Sequence, residues 1–155
     1  MIYRFSNVIL VLFLSSQALA KVVIVPKDYP TIQDGLDASI EGDTVIVEPG
    51  IYEENIDFYG INVVLASKFL ETQETKFIHE TVIFGSKERG NTGPVITFSS
   101  GEDSTSAVIG FTIKNGRSPI GGGIYCNDNA NANLENTIVW NNAPDQMAFS
   151  PNNDP

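Results

Sequence analysis

Apolar residues along this chain fall into short runs: Val22–Val25, Thr44–Val47, Asn55–Phe58, Asn62–Leu65, Thr81–Phe84, Val95–Phe98, Ala107–Ile113, Gly123–Cys126 and Asn136–Trp140. Valine, isoleucine, phenylalanine and threonine dominate them, which predicts strands. Turn formers separate the runs, among them Tyr59-Gly60, Gly90 to Pro94, Gly101, Asn115-Gly116 and Gly121-Gly122-Gly123. Pro49-Gly50 suits the centre of a type II turn, where glycine takes the positive φ. One segment differs. Thr31–Glu41 places Ile32, Leu36 and Ile40 on a single helical stripe, with Pro30 and Thr31 as start signals and Gly42 as a stop. Gly35 weakens that helix by about 1 kcal/mol relative to alanine, so it needs something to pack against.

Short, often continuously apolar strands after one helix suggest a lidded stack of coils rather than a β-sandwich, whose strands are longer and joined by hairpins. Asn115-Gly116 is the one hairpin signal that favours the sandwich. A weak repeat agrees with the stack: Ile109 to Ile113 recurs as Leu134 to Ile138, an offset of 25 residues, within the usual length of a solenoid coil. Asn127, Asn129, Asn131 and Asn133 read either as a stacked side-chain ladder or as a polar loop.

The N-terminus carries one positive charge, Arg4, then the apolar run Val8–Leu14 and Ala18-Leu19-Ala20. That order predicts a secretory signal peptide over residues 1–20, cleaved after Ala20, and an extracellular or periplasmic protein. The run is too short to span a bilayer as a helix. Residues 21–143 are then the folded domain, and 144–155, ending Pro-Asn-Asn-Asp-Pro, read as a disordered tail. About 135 mature residues at ~25 per coil allow roughly five coils. The last has no evident cap, which leaves room for a stacking partner.

Charge narrows the partners. Lys and Arg total 9 against 19 Asp and Glu; without Arg4 the balance is 8 against 19, or −11. Such a surface repels nucleic acid, and repels polyuronates unless a divalent cation bridges the two. Cys126 is the sole cysteine, so no intrachain disulfide forms, and its apolar setting predicts a buried, inert thiol.

Three segments resemble the pectin lyase-like superfamily: Val25-Pro-Lys-Asp-Tyr-Pro-Thr-Ile-Gln-Asp-Gly-Leu, Glu41-Gly-Asp-Thr-Val-Ile-Val-Glu-Pro-Gly-Ile-Tyr-Glu-Glu-Asn-Ile, and Val108-Ile-Gly-Phe-Thr-Ile-Lys-Asn-Gly with Gly121-Gly-Gly-Ile-Tyr-Cys. Within it the chain is most similar to bacterial secreted proteins whose opening module is like that of pectin methylesterases. The resemblance covers most of residues 22 to 142. It implies a short, all-β, right-handed parallel β-helix with an N-terminal capping helix, in which Tyr52 and Ile56 return to the core. Gly35 stands where the family more often has alanine.

No catalytic, cofactor or metal site is assigned from the sequence. An esterase of this fold needs two carboxylates and amide donors. Past the leader the glutamines are Gln33 on the cap helix, Gln73 in a polar loop and Gln146 in the tail, none of them in a strand beside paired aspartates. A lyase needs carboxylates converging on Ca²⁺ and a base. Glu102-Asp103 and Asp128 are candidate cation contacts and Lys114 and Arg117 candidate bases, but Glu102-Asp103 reads better as a solvated loop. Glu53-Glu54 reads as structural or solvated, and His79 as a surface residue. Tyr52, Tyr59, Tyr125 and Trp140 could stack on sugars, with core packing the expectation for Tyr125 and Trp140. The expected function is a secreted or surface-associated, non-catalytic module that binds polysaccharide or serves structurally, without a cofactor. The alternatives are a pectin esterase or Ca²⁺-dependent lyase, complete or truncated, and a degenerate remnant.

Overall fold

A computed structural model describes residues 19–85, 93–127 and 129–150. The apolar leader stretch, Asp128 and residues 151–155 lie outside the described residues. In chain order the elements are β1 (Val22–Val25), α1 (Ile32–Asp37), β2 (Thr44–Val47), β3 (Gly50–Glu53), β4 (Ile56–Asp57), β5 (Val64–Ser67), α2 (Phe69–Thr72) and α3 (Lys76–Glu80). There follow β6 (Thr81–Phe84), β7 (Ile96–Phe98), β8 (Ala107–Ile109), β9 (Thr112–Lys114), β10 (Ile124–Cys126), β11 (Asn133–Glu135), β12 (Ile138–Trp140) and β13 (Met147–Phe149). The protein is mostly β with a few short helices, and no helix among the described residues is long and apolar enough to cross a membrane.

The strands form three parallel sheets: sheet 1 is β1-β2-β5-β8-β11, sheet 2 is β3-β6-β9-β12 and sheet 3 is β4-β7-β10-β13. From β2 onward the chain visits sheets 1, 2 and 3 in rotation, so each circuit adds one strand to each. Asn115-Gly116 makes no hairpin: Asn115 takes a left-handed φ of 60° after β9, and every strand pairing is parallel.

In-register pairing stacks like residues into columns along the interior. Val23, Val45, Leu65, Val108 and Leu134 form one in sheet 1, and Tyr52, Ile83, Ile113 and Val139 one in sheet 2. Sheet 3 contributes Ile56, Ile96, Ile124 and Met147. Phe58 and Phe98 stack beside them with ring centroids 4.3 Å apart. Ile32 and Leu36 of α1 belong to the same cluster, and each aliphatic side chain fully buried there contributes about 1.5–3 kcal/mol.

Several expectations change at this level. The helix is shorter than Thr31–Glu41, and Ile40 lies beyond it, half exposed. The repeat offset is 26 residues, not 25: Leu134 pairs Val108 and Ile138 pairs Thr112. That single residue exchanges the inward and outward sets, because strand side chains alternate. The tail contains β13, paired to β10, so the stack continues through Phe149 rather than ending at residue 143. The polar loop holding Gln73 and His79 is two short helices, whose Phe69 and Ile78 cover Ile46, Ala66, Ala107 and Ile109 on the outer side of sheet 1. Asn127, Asn129 and Asn131 lie in the one connection between β10 and β11, the loop alternative, and an asparagine pair joins successive coils elsewhere: Asn141 Nδ2 donates to Asn115 Oδ1 at 2.5 Å.

The corner between β8 and β9 tests this packing. Gly110 has φ +79°, and a Cβ there would lie 2.6 Å from both Phe69 Cβ and Ser67 Oγ. Gly42 has a similar φ, +86°, but open space around it. Gly42→Ala should cost only the left-handed penalty of about 1–2 kcal/mol. Gly110→Ala adds the collision and should cost about 3 kcal/mol or more. Urea unfolding of the two variants checks the difference.

Candidate binding face

The three glutamines past the leader, and Glu54, are engaged in hydrogen bonds that hold the fold. Gln33 Oε1 accepts from Asp57 N at 2.9 Å, and its Nε2 donates to Asp57 O at 3.0 Å and Asp37 Oδ1 at 2.7 Å. β4 is the first strand of sheet 3, so this one amide stands in for a missing neighbouring strand. Glu54 accepts from Ile32 N and Gln33 N, both at 3.0 Å, and Thr31 Oγ1 accepts from Asp34 N at 3.0 Å. Together they satisfy three donors at the start of α1 that would otherwise be orphaned. Gln73 closes α2 by donating to Phe69 O and Leu70 O. Gln146 exchanges hydrogen bonds with Asn142.

Glu102 is the largest departure. It is fully buried, not solvated: Oε1 accepts from Gly60 N at 2.8 Å and Oε2 from Ser100 N at 3.1 Å. Only Asp103 of that pair is exposed, accepting from Thr105 N and Oγ1. Lys114 ends β9 in sheet 2, whereas Glu102 sits between β7 and β8, so the candidate base and cation ligand do not converge. Arg117 and His79 are exposed. Among the described residues no group of three His, Cys, Asp or Glu is placed to hold a metal ion.

What the register does assemble is a row on the outer face of sheet 2. Tyr52, Ile83, Ile113 and Val139 point inward, so their strand neighbours Glu53, Phe84, Lys114 and Trp140 point outward, in register with one another. Adjacent strands are ~4.8 Å apart, which puts Phe84 and Trp140, two strands apart, roughly 9.6 Å from each other along the row. Trp140 is 52% exposed, and Lys114 Nζ lies 6.0 Å from the centre of its ring. The parallel outward row of Ile51, Val82, Thr112 and Ile138 is exposed at both ends. Its middle is covered by α3, with Thr112 Oγ1 donating to Ile78 O at 2.8 Å.

Core packing was the expectation for Trp140 and Tyr125; both point outward. Alternation explains it. Ile124 and Cys126 are buried, which turns the half-buried Tyr125 to the outer face of sheet 3, beside Thr97. Tyr52 does pack on the core, its hydroxyl donating to Glu48 O at 2.8 Å. Tyr59 is exposed at a turn. On the sheet 3 face the one carboxylate is Asp57, raised above its ordinary value by burial and then by the nearby Glu102 charge.

No protein-family model matches this chain, and neither a curated protein nor a solved structure matches it.

Burial, with a smaller contribution from Glu102, pushes the Cys126 thiol up to about 11. At pH 8 that leaves about 0.1% thiolate. The folded protein should therefore resist an aromatic disulfide reagent at pH 8 and react fully once unfolded in guanidinium.

Proposed function

We propose that this chain is an exported right-handed parallel β-helix of the pectin lyase-like class, and that it works as a non-catalytic module binding polysaccharide along the outer face of sheet 2. Rotation of the chain through three parallel sheets supports the β-helix. The right hand follows from the steric preference of twisted strands for right-handed crossovers. Export follows from the leader pattern at residues 1–20.

The single observation that carries the binding reading is Trp140, a half-exposed indole in line with Phe84 and with Lys114 beside it. Indole and phenyl faces stack on the C–H faces of sugar rings, and an ammonium donates to hydroxyl or carboxylate oxygens. A row running across the strands suits a polymer lying along the stack. The non-catalytic reading rests on the engagement of Gln33, Glu54 and Glu102 in backbone bonds. Asp57 favours a second reading, a hydrolytic site on sheet 3: its carboxylate is partly exposed on the outer face with only Oδ1 accepting a backbone bond, from Tyr59 N at 2.8 Å, and burial raises its pKa.

Trp140 is the only tryptophan, so intrinsic fluorescence reports directly on this face. Titration with pectin, polygalacturonate, alginate and a soluble neutral glucan should shift or quench its emission for at least one. Phe84→Ala and Lys114→Ala should each weaken that binding by about tenfold, worth about 1.4 kcal/mol. Trp140→Ala, followed by calorimetry, should abolish it while changing stability by less than about 0.5 kcal/mol. Methanol or unsaturated product, lost in Asp57→Asn, would instead establish the second reading.

A further inference from the structure

Asp43 is fully buried at the start of β2. Its Oδ2 accepts from Ile40 N at 2.9 Å, and its Oδ1 accepts from the backbone nitrogen of Lys21 at 2.8 Å. The Lys21 ammonium adds little shielding: Nζ donates to Ala38 O at 2.8 Å and stays 3.9 Å from Asp43 Oδ2, half exposed. Lys21 O accepts from Thr44 N at 3.0 Å, so the same residue fixes the start of the β1–β2 ladder. A buried carboxylate is expensive unless paired, and the shorter of its two backbone bonds comes from the nitrogen on the C-terminal side of Ala18-Leu19-Ala20.

We infer that removal of the leader creates the partner of Asp43: the new α-ammonium of Lys21 forms a buried-end ion pair with Asp43 Oδ1 that locks β1 onto β2. The inference rests on the leader reading of residues 1–20. In the processing step, water adds across the Ala20–Lys21 amide. Ala20 departs with the new carboxylate, and the Lys21 nitrogen, freed of its acyl group, takes up a proton to become an ammonium. A neutral amide donor is thereby replaced by a cationic one at the same position, and charge-assisted hydrogen bonds are roughly twice as strong. Burial alone would raise the Asp43 carboxyl, yet the two backbone bonds, with a smaller contribution from the Lys21 charge, already hold it below its ordinary value.

The test uses the full chain exported from a bacterial host. N-terminal sequencing of the product reads the leader: a start at Lys21 supports it, and any other start removes the premise. Stability reads the ion pair. A second version carries one glycine inserted between Ala20 and Lys21, so that processing leaves Gly-Lys21 and moves the ammonium away from Asp43. That version should melt about 3–6 °C lower, and the difference should vanish when both carry Asp43→Asn. Equal melting of the two Asp43 forms would overturn the inference while leaving the leader intact. Should Asp43→Asn not fold, acylation of the α-amine decides: strong protection in the folded Lys21 form supports the pair, and a rate equal to that of the unfolded chain overturns it.

Discussion

The structure depends on parallel strands of successive coils pairing residue for residue. Once Val108 is set on Leu65 and Leu134 on Val108, each interior side chain packs on the equivalent one ~4.8 Å above and below it. A slip of one residue would turn every such column outward. Strands of two to four residues carry too few hydrogen bonds to guard that register alone. Buried and half-buried polar side chains at the corners do it as well. Glu102 ties Gly60 to Ser100, and Asn55 donates to Pro94 O. Asn62 Oδ1 accepts from Asp103 N and Ser106 Oγ, and Asn142 accepts from Gly116 N while donating to Ile113 O. Each joins one coil to the next, and Asn142 is the costliest to remove because its partners Gly116 N and Ile113 O would be left buried and unpaired.

The same register decides which surfaces are open to a ligand. Sheet 1 has its outer side covered by Phe69 and Ile78 from the α2–α3 insertion. Sheet 3 begins with a strand whose outer edge is occupied by Gln33, and its outward row is Asp57, Thr97, Tyr125 and Ala148. Among the described strands, sheet 2 alone presents an aromatic ring more than half exposed, in a row where charged and aromatic residues alternate from Glu53 through Phe84 and Lys114 to Trp140.

Much of the strand content was legible, because Val22–Val25, Thr44–Val47 and Thr81–Phe84 are apolar and β-branched enough to announce themselves. β11 and β13 were not: Asn133–Glu135 holds a single apolar residue, and Met147–Phe149, though apolar, is only three residues long and lies in a stretch rich in asparagine, aspartate and proline that reads as a tail. The repeat was misjudged by one residue because coil lengths vary: Val45 to Leu65 is 20 residues, Leu65 to Val108 is 43 and Val108 to Leu134 is 26. An inserted helical pair accounts for part of the long step. The residue types of the candidate face were visible, but their direction was not, because inward and outward follow from the register. Glu102 escaped for a different reason: its burial arises from two backbone N–H groups, at Gly60 and Ser100, one of them distant in sequence.

Hydrogen exchange with and without a bound polysaccharide tests the central claim, that ligand lies along the outer face of sheet 2, most directly. The account predicts added protection in peptides spanning β6, β9 and β12, with β4, β7 and β10 unchanged. Protection confined to β4, β7 and β10, around Asp57 and Tyr125, would contradict it and place the ligand on sheet 3.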